Sequence, residues 1–282
     1  MTSTQRCDGI AAIADRFALF LVDQFGVLHD GQHPYSGVVD CLQRLAERGR
    51  RVVLLSNSGK LAEPNIARLV GIGIPRTGFV TMVTSGDVAR EALATRRDPW
   101  FARLGRRCLL LSRGGDRSIV GGLDLELVSG AGAADFILLS GVDAPERPFA
   151  DYEAAVEPGL ARGLPLICAN PDMQSVNPGG VSFGAGQVAR RYQERGGEVR
   201  FIGKPHPEIY RHCFERLGAT EDEHSVAVGD SVEHDIAGGR RAGLATVFVT
   251  GGLGAGKSDA ELAELYRRFN AVPDWVVSLF RW

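Results

Sequence analysis

The chain has 282 residues, 44% apolar and 23% charged, and 32 basic against 34 acidic side chains leave a formal charge of −2. That balance lacks the basic excess of a nucleic-acid binder, and no apolar run approaches the ~20 residues of a membrane span. Five scattered cysteines (Cys7, Cys41, Cys108, Cys168, Cys213) with no CxxC pair, and an N-terminus without a signal-peptide pattern, lead us to expect free thiols in a cytoplasmic protein.

The 36 glycines are nearly twice the usual share of about 7% and follow no collagen period, so they are expected in tight loops between regular elements. The elements alternate. Phe17–Val22 is an apolar run that reads as a buried strand ending at Asp23. Ser36 is placed to cap a helix carrying Val38, Cys41, Leu42 and Leu45 on one face, with Gly49 after it. Arg51–Leu55 reads as a strand ending at Ser56, and Asn65–Val70 as a helix. In the middle third, Val88–Ala94, Tyr152–Leu160 and Gln187–Glu194 read as helices. Cys108–Leu111, Phe136–Leu139 and Leu164–Ala169 read as strands, and Leu123, Leu125 and Leu127 alternate as in a half-buried strand. Further on, Val199–Ile202 is a strand leading into Gly203 and Lys204, and Glu208–Leu217 a helix. Ser225–Val228 is a strand ending at Gly229–Asp230, a short helix runs to Ala242, and Ala245–Thr250 is the last strand. Strand–helix alternation of this kind implies an α/β fold with a doubly wound, largely parallel sheet, whose strand C-termini share one edge where ligands bind.

Asp23, Ser56, Lys204 and Asp230 each follow a predicted strand. One such residue is ordinary loop chemistry. Together, two carboxylates, a hydroxyl and a lysine suit a phosphate-and-metal site. Asp23 is placed to attack phosphorus, Mg²⁺ held by Asp23 and Asp230 together with Lys204 would offset the negative charge, and Ser56 would bind a phosphate oxygen.

The motifs Asp23-Gln24-Phe25-Gly26-Val27-Leu28, Leu54-Leu55-Ser56-Asn57-Ser58, Gly203-Lys204-Pro205 and Gly229-Asp230-Ser231-Val232-Glu233-His234-Asp235 stand in that order. In this respect the chain resembles the haloacid dehalogenase-like superfamily of phosphohydrolases. Ser56 and Lys204 are about 150 residues apart, far more than one crossover needs. In that superfamily such an insertion is a class II cap. Gly203-Lys204-Pro205-His206-Pro207 and Ala169-Asn170-Pro171-Asp172 are similar to its class IIA branch of small-metabolite phosphatases. The resemblance implies a Rossmann-like core over 1–82 and 184–282, and an α/β cap over 83–183 that selects the substrate, with Asn170 and Asp172 near the junction. An Asx-Pro turn is an equal reading of those two residues. It further implies Asp23 as nucleophile, Mg²⁺ held by Asp23, the backbone carbonyl of Phe25 and Asp230, and phosphate held by Ser56, Asn57 and Lys204. Asp235 would support a metal-bound water or orient Lys204. The substrate would be a small phosphomonoester such as a sugar phosphate. Caps of this branch often mediate dimers, and no nucleic-acid or membrane partner is expected.

One position departs from the family. The second motif-one Asp, its general acid and base, is here Phe25, which transfers no proton. The outcomes are a phosphatase restricted to good leaving groups, recruitment of another carrier such as His29 or His206, or a phosphometabolite-binding protein without catalysis. A halide-displacing hydrolase also needs no such acid, but its cap follows motif one. Separately, Gly251–Ser258 fits the nucleotide-binding pattern GxxxxGK[ST]. Too few residues follow it for the further βα units of such a domain, and a glycine-rich turn closing the last core strand is the simpler expectation.

Overall fold

The computed structural model describes residues 4–177, 180–218, 224–252 and 254–282. The chain divides into two compact units. The first comprises Met1–Ser56, Glu63–Val83 and Lys204–Trp282, and the second Asn57–Ala62 and Thr84–Gly203.

The first unit is built on a seven-stranded sheet in the spatial order Gln5–Arg6, Trp275–Val277, Ala245–Val249, Ser225–Gly229, Leu19–Asp23, Arg51–Ser56, Thr81–Thr84. Leu19–Asp23 lies at its heart, parallel to Ser225–Gly229 on one side and to Arg51–Ser56 on the other. Leu19, Phe20, Leu21 and Val22 are at most 1% exposed. A parallel strand covered on both faces needs an unbroken apolar run, and Leu19–Val22 is one. Val38–Glu47, Pro207–Leu217 and Asp259–Arg268 are helices of this unit. The first begins at Gly37, in the left-handed region with φ 86°, and not on a hydroxyl of Ser36.

The second unit carries a five-stranded parallel sheet in the order Val199–Phe201, Leu166–Cys168, Phe136–Leu139, Arg107–Leu111, Glu126–Leu127. Its core gathers Leu109, Ile137, Leu139, Leu166 and Cys168 from the sheet with Tyr152, Val156, Val188 and Tyr192 from the helices Phe149–Ala161 and Ala185–Glu194. The helix Ser85–Thr95 starts on a reciprocal cap between Thr84 and Asp87. An antiparallel hairpin pairs Gln174–Asn177 with Gly180–Phe183.

These elements move three sequence expectations. The second unit runs to Gly203, not to residue 183, because Val188, Ala189 and Tyr192 bury against its own sheet. Val199–Phe201 is accordingly a strand of the second sheet, so Lys204 does not follow a strand of the first. The alternating leucines at 123, 125 and 127 yield only the short edge strand Glu126–Leu127, exposed at both residues.

Candidate active site

Three chain segments of the first unit converge on one ammonium group. Nζ of Lys204 donates to Oδ1 of Asp23 at 2.6 Å, to Oδ1 of Asp235 at 2.7 Å and to the carbonyl of Leu55 at 3.3 Å. Asp23 closes the central strand and Leu55 sits one residue from the end of its neighbour. Asp235 lies in a wide turn, Val232–Ile236, whose start is capped when the Ser231 hydroxyl accepts the His234 N–H. The Ser231 N–H in turn donates to Oδ2 of Asp235 at 3.0 Å. Gly229 makes this fold-back feasible, since a Cβ there would stand 2.0 Å from Cγ of Asp235.

Asp230 joins the same cluster. Asp23, Asp230 and Asp235 each place a carboxylate oxygen within 4.8 Å of the others. Asp230 and Asp235 are 4% and 3% exposed, and Lys204 is 3% exposed. Burial raises the Asp23 pKa well above the ordinary carboxylate range, and Asp235 and Asp230 push the same way against Lys204. For Lys204, burial alone would lower the pKa, but the two bonded carboxylates outweigh it and hold the group protonated. Three carboxylates against one ammonium leave a deficit of positive charge in a region shielded from water, and a hard divalent cation with oxygen ligands fits it.

Ser56 and Gln24 form a second feature. Both are buried, and Nε2 of Gln24 donates to Oγ of Ser56 at 2.5 Å. Nothing in the sequence reading singled out Gln24, because an amide beside a strand terminus has no pattern of its own.

The other sequence candidates have the following surroundings. Asn57 and Asp172 belong to the second unit and bind each other, Nδ2 to Oδ1 at 2.8 Å, while Oδ1 of Asn170 accepts the Asp172 N–H at 3.1 Å. Asn170 and Asp172 thus form the Asx-type turn. Phe25 is partly buried, with its ring edge-on to His29 at 5.6 Å between centroids. His29 is completely buried, its Nδ1 accepts the Gly31 N–H at 2.9 Å, and burial, with Arg68 adding, lowers its pKa to about 4. Burial thus favours the neutral ring, whose Nε2 is enclosed without a hydrogen-bond partner. His206 immediately precedes the helix Pro207–Leu217 without capping it through its side chain.

The glycine-rich stretch Gly251–Ser258 includes Leu253, which lies outside the described residues. Its first two glycines have packing duties. A Cβ at Gly252 would stand 2.0 Å from Oδ2 of Asp230, and one at Gly251 2.6 Å from Leu279. The Ser258 hydroxyl caps the following helix in a reciprocal box with Glu261. A nucleotide-binding loop would need that hydroxyl for a metal ion.

Comparison with known proteins places the chain in a family. A haloacid dehalogenase-like hydrolase model matches residues 20–126, and a HAD-hydrolase-like model matches 201–280. The chain belongs to the haloacid dehalogenase-like hydrolases. Dihydroxyacetone phosphatase of Corynebacterium glutamicum is 36% identical over 117 residues, which cover 41% of this chain and 40% of that one. D-glycerol 3-phosphate phosphatase of Mycobacterium tuberculosis is 27% identical over 91% of this chain and 69% of its own length. A haloacid dehalogenase-like hydrolase from Brucella suis superposes with a TM-score of 0.83 at 27% identity, covering 97% of this chain and 99% of that one.

Proposed function

We propose that the chain is a divalent-cation-dependent phosphohydrolase acting on small phosphorylated metabolites through a phosphorylated Asp23. The observation that carries this reading is the cluster of Asp23, Asp230 and Asp235 at the end of the central strand, with Lys204 bonded to Asp23 and Asp235. In the mechanism, an oxygen of Asp23 attacks phosphorus and displaces the leaving group. Lys204, anchored by Asp235, orients Asp23, opposes the upward pull of burial on its carboxyl and places positive charge beside the phosphate oxygens. Ser56 is assigned to a further phosphate oxygen, and Asn57 to the same phosphate. Asp23, the carbonyl of Phe25 and Asp230 would hold the cation. When bound, it supplies positive charge that offsets the phosphate and permits a carboxylate to approach it. We take the cation to be Mg²⁺, as the family resemblance implies, and the second unit to be the cap that selects the substrate.

The relatives named for dihydroxyacetone and glycerol 3-phosphate phosphatase activity support a small phosphorylated substrate. The test is phosphate release from a panel of aryl, acyl and alkyl phosphates with and without Mg²⁺. Activity should require the cation and vanish in Asp23→Asn. Turnover that survives Asp23→Asn unchanged refutes the mechanism. Binding of phosphorylated ligands without any turnover would favour the alternative, a phosphometabolite-binding protein in which Phe25 has removed the proton carrier.

A further inference from the structure

We infer that this chain favours phosphoryl groups carried on weakly basic leaving groups, such as aryl, enol or acyl phosphates, and that phospho-Asp23 accumulates during turnover. The inference rests on the phosphohydrolase reading and narrows it. Its origin is the group that follows the nucleophile by two residues. The Phe25 ring is packed into its loop, edge-on to His29, with Cε2 3.3 Å from where a Cβ of Gly31 would stand. His29 is completely buried and its Nδ1 is occupied by the Gly31 N–H. Lys204 donates to two carboxylates and a backbone carbonyl, which hold its protons in place. None of these groups of the first unit is set to pass a proton to and from the reacting atoms.

The two half-reactions feel this differently. In the first, a bond forms between an oxygen of Asp23 and phosphorus, and the bond from phosphorus to the leaving oxygen breaks with its electron pair on that oxygen. Without a donor the group departs as an anion. A carboxylate (acid pKa ~4) or a phenolate (~10) can do so, whereas a far more basic alkoxide departs slowly. In the second, water attacks phosphorus, the bond to Asp23 breaks, and the carboxylate leaves unaided while the proton of water passes to solvent. The lack of a base slows this step equally for every substrate, because the phosphoenzyme is the same. For good leaving groups the second step therefore limits the rate, and for alkyl esters the first does.

The experiment is rapid-mixing kinetics of the whole protein with Mg²⁺, using aryl phosphates from dinitrophenyl to phenyl, acetyl phosphate and an alkyl phosphate. We expect the same kcat for the best leaving groups, a burst of one leaving group per active site, and a phosphoryl group on Asp23 in the quenched protein. The kcat/KM of the alkyl ester should lie roughly 100-fold or more below the aryl values. Phe25→Asp should remove the burst and raise alkyl turnover roughly 10²–10⁴-fold. If that variant fails to fold, the wild-type series still decides. Alkyl and aryl esters turned over alike without a burst, with Asp23→Asn inactive, would refute the inference and leave the phosphohydrolase reading intact. No turnover of any ester and no phosphorylation of Asp23 would overturn both.

Discussion

Oδ2 of Asp230 is bracketed by two glycines. A Cβ on Gly26 would come within 2.1 Å of it and one on Gly252 within 2.0 Å. Gly26 also needs its positive φ of 81°, so a substitution there mixes steric and backbone strain. Gly252 carries no such complication and tests space alone. In Gly252→Ala the methyl group must displace the Asp230 carboxylate, and cation affinity should fall roughly 10–100-fold, as when groups supporting a metal ligand are altered. Calorimetric titration of Mg²⁺ into wild type and variant measures this without reference to activity, and equal affinities would show that Asp230 does not hold the cation. The acidic and basic members of the site were readable in the sequence because strand-end carboxylates and a lysine in fixed order have few other uses. The residues that make room for them, Gly252 and Gly229, and the amide of Gln24 that donates to the Ser56 hydroxyl, were not. Their roles depend on which side chain comes close in space.

Among elements, strand positions were well marked where an apolar run is bounded by charge or glycine. Phe136–Leu139 and Ser225–Gly229 lie within a residue of expectation, and the central strand ends on Asp23 itself. Three elements of the first sheet escaped notice: Gln5–Arg6, Thr81–Thr84 and Trp275–Val277. They are short, and two of them are edge strands. Val199–Phe201 was recognised as a strand, but its sheet was not, because a three-residue run carries no record of its partner. Lys204 therefore reaches Asp23 from the loop that re-enters the first unit and not from a core strand. The turn Val232–Ile236 supplies the other half of its anchorage. Removing that half should be costly: Asp235→Ala deprives the buried ammonium of one of its two bonded carboxylates while Asp23 remains, and losing a hydrogen bond between charged groups costs about 1.5–3 kcal/mol. Urea denaturation should register a loss of that order, while truncating an exposed pair such as Arg44–Asp40 should change stability by less than about 1 kcal/mol.

At the scale of the whole molecule, the two units each close their own apolar interior, and the cysteines are distributed between them. Cys41 and Cys213 are buried on helices of the first unit, and Cys108 and Cys168 are buried in the sheet of the second, all at 0% exposure. Burial pushes each of these four thiols up to about 12, so at pH 8 they hold almost no thiolate, and a reagent must wait for the structure to open. Cys7 is only partly buried. Alkylation of the native protein at pH 8 should accordingly modify Cys7 first and spare the other four. With rising urea, Cys41 and Cys213 should become reactive together, and Cys108 and Cys168 together, because each pair belongs to one compact unit. Peptide mass spectrometry after pulsed alkylation reads the four sites separately. One shared midpoint would mean that the units unfold as a single cooperative body, and two midpoints that they unfold independently. Disagreement within a pair would show that the division at Thr84 and Gly203 does not mark the cooperative boundary. The assay thus measures directly whether the second unit is an autonomous folding unit.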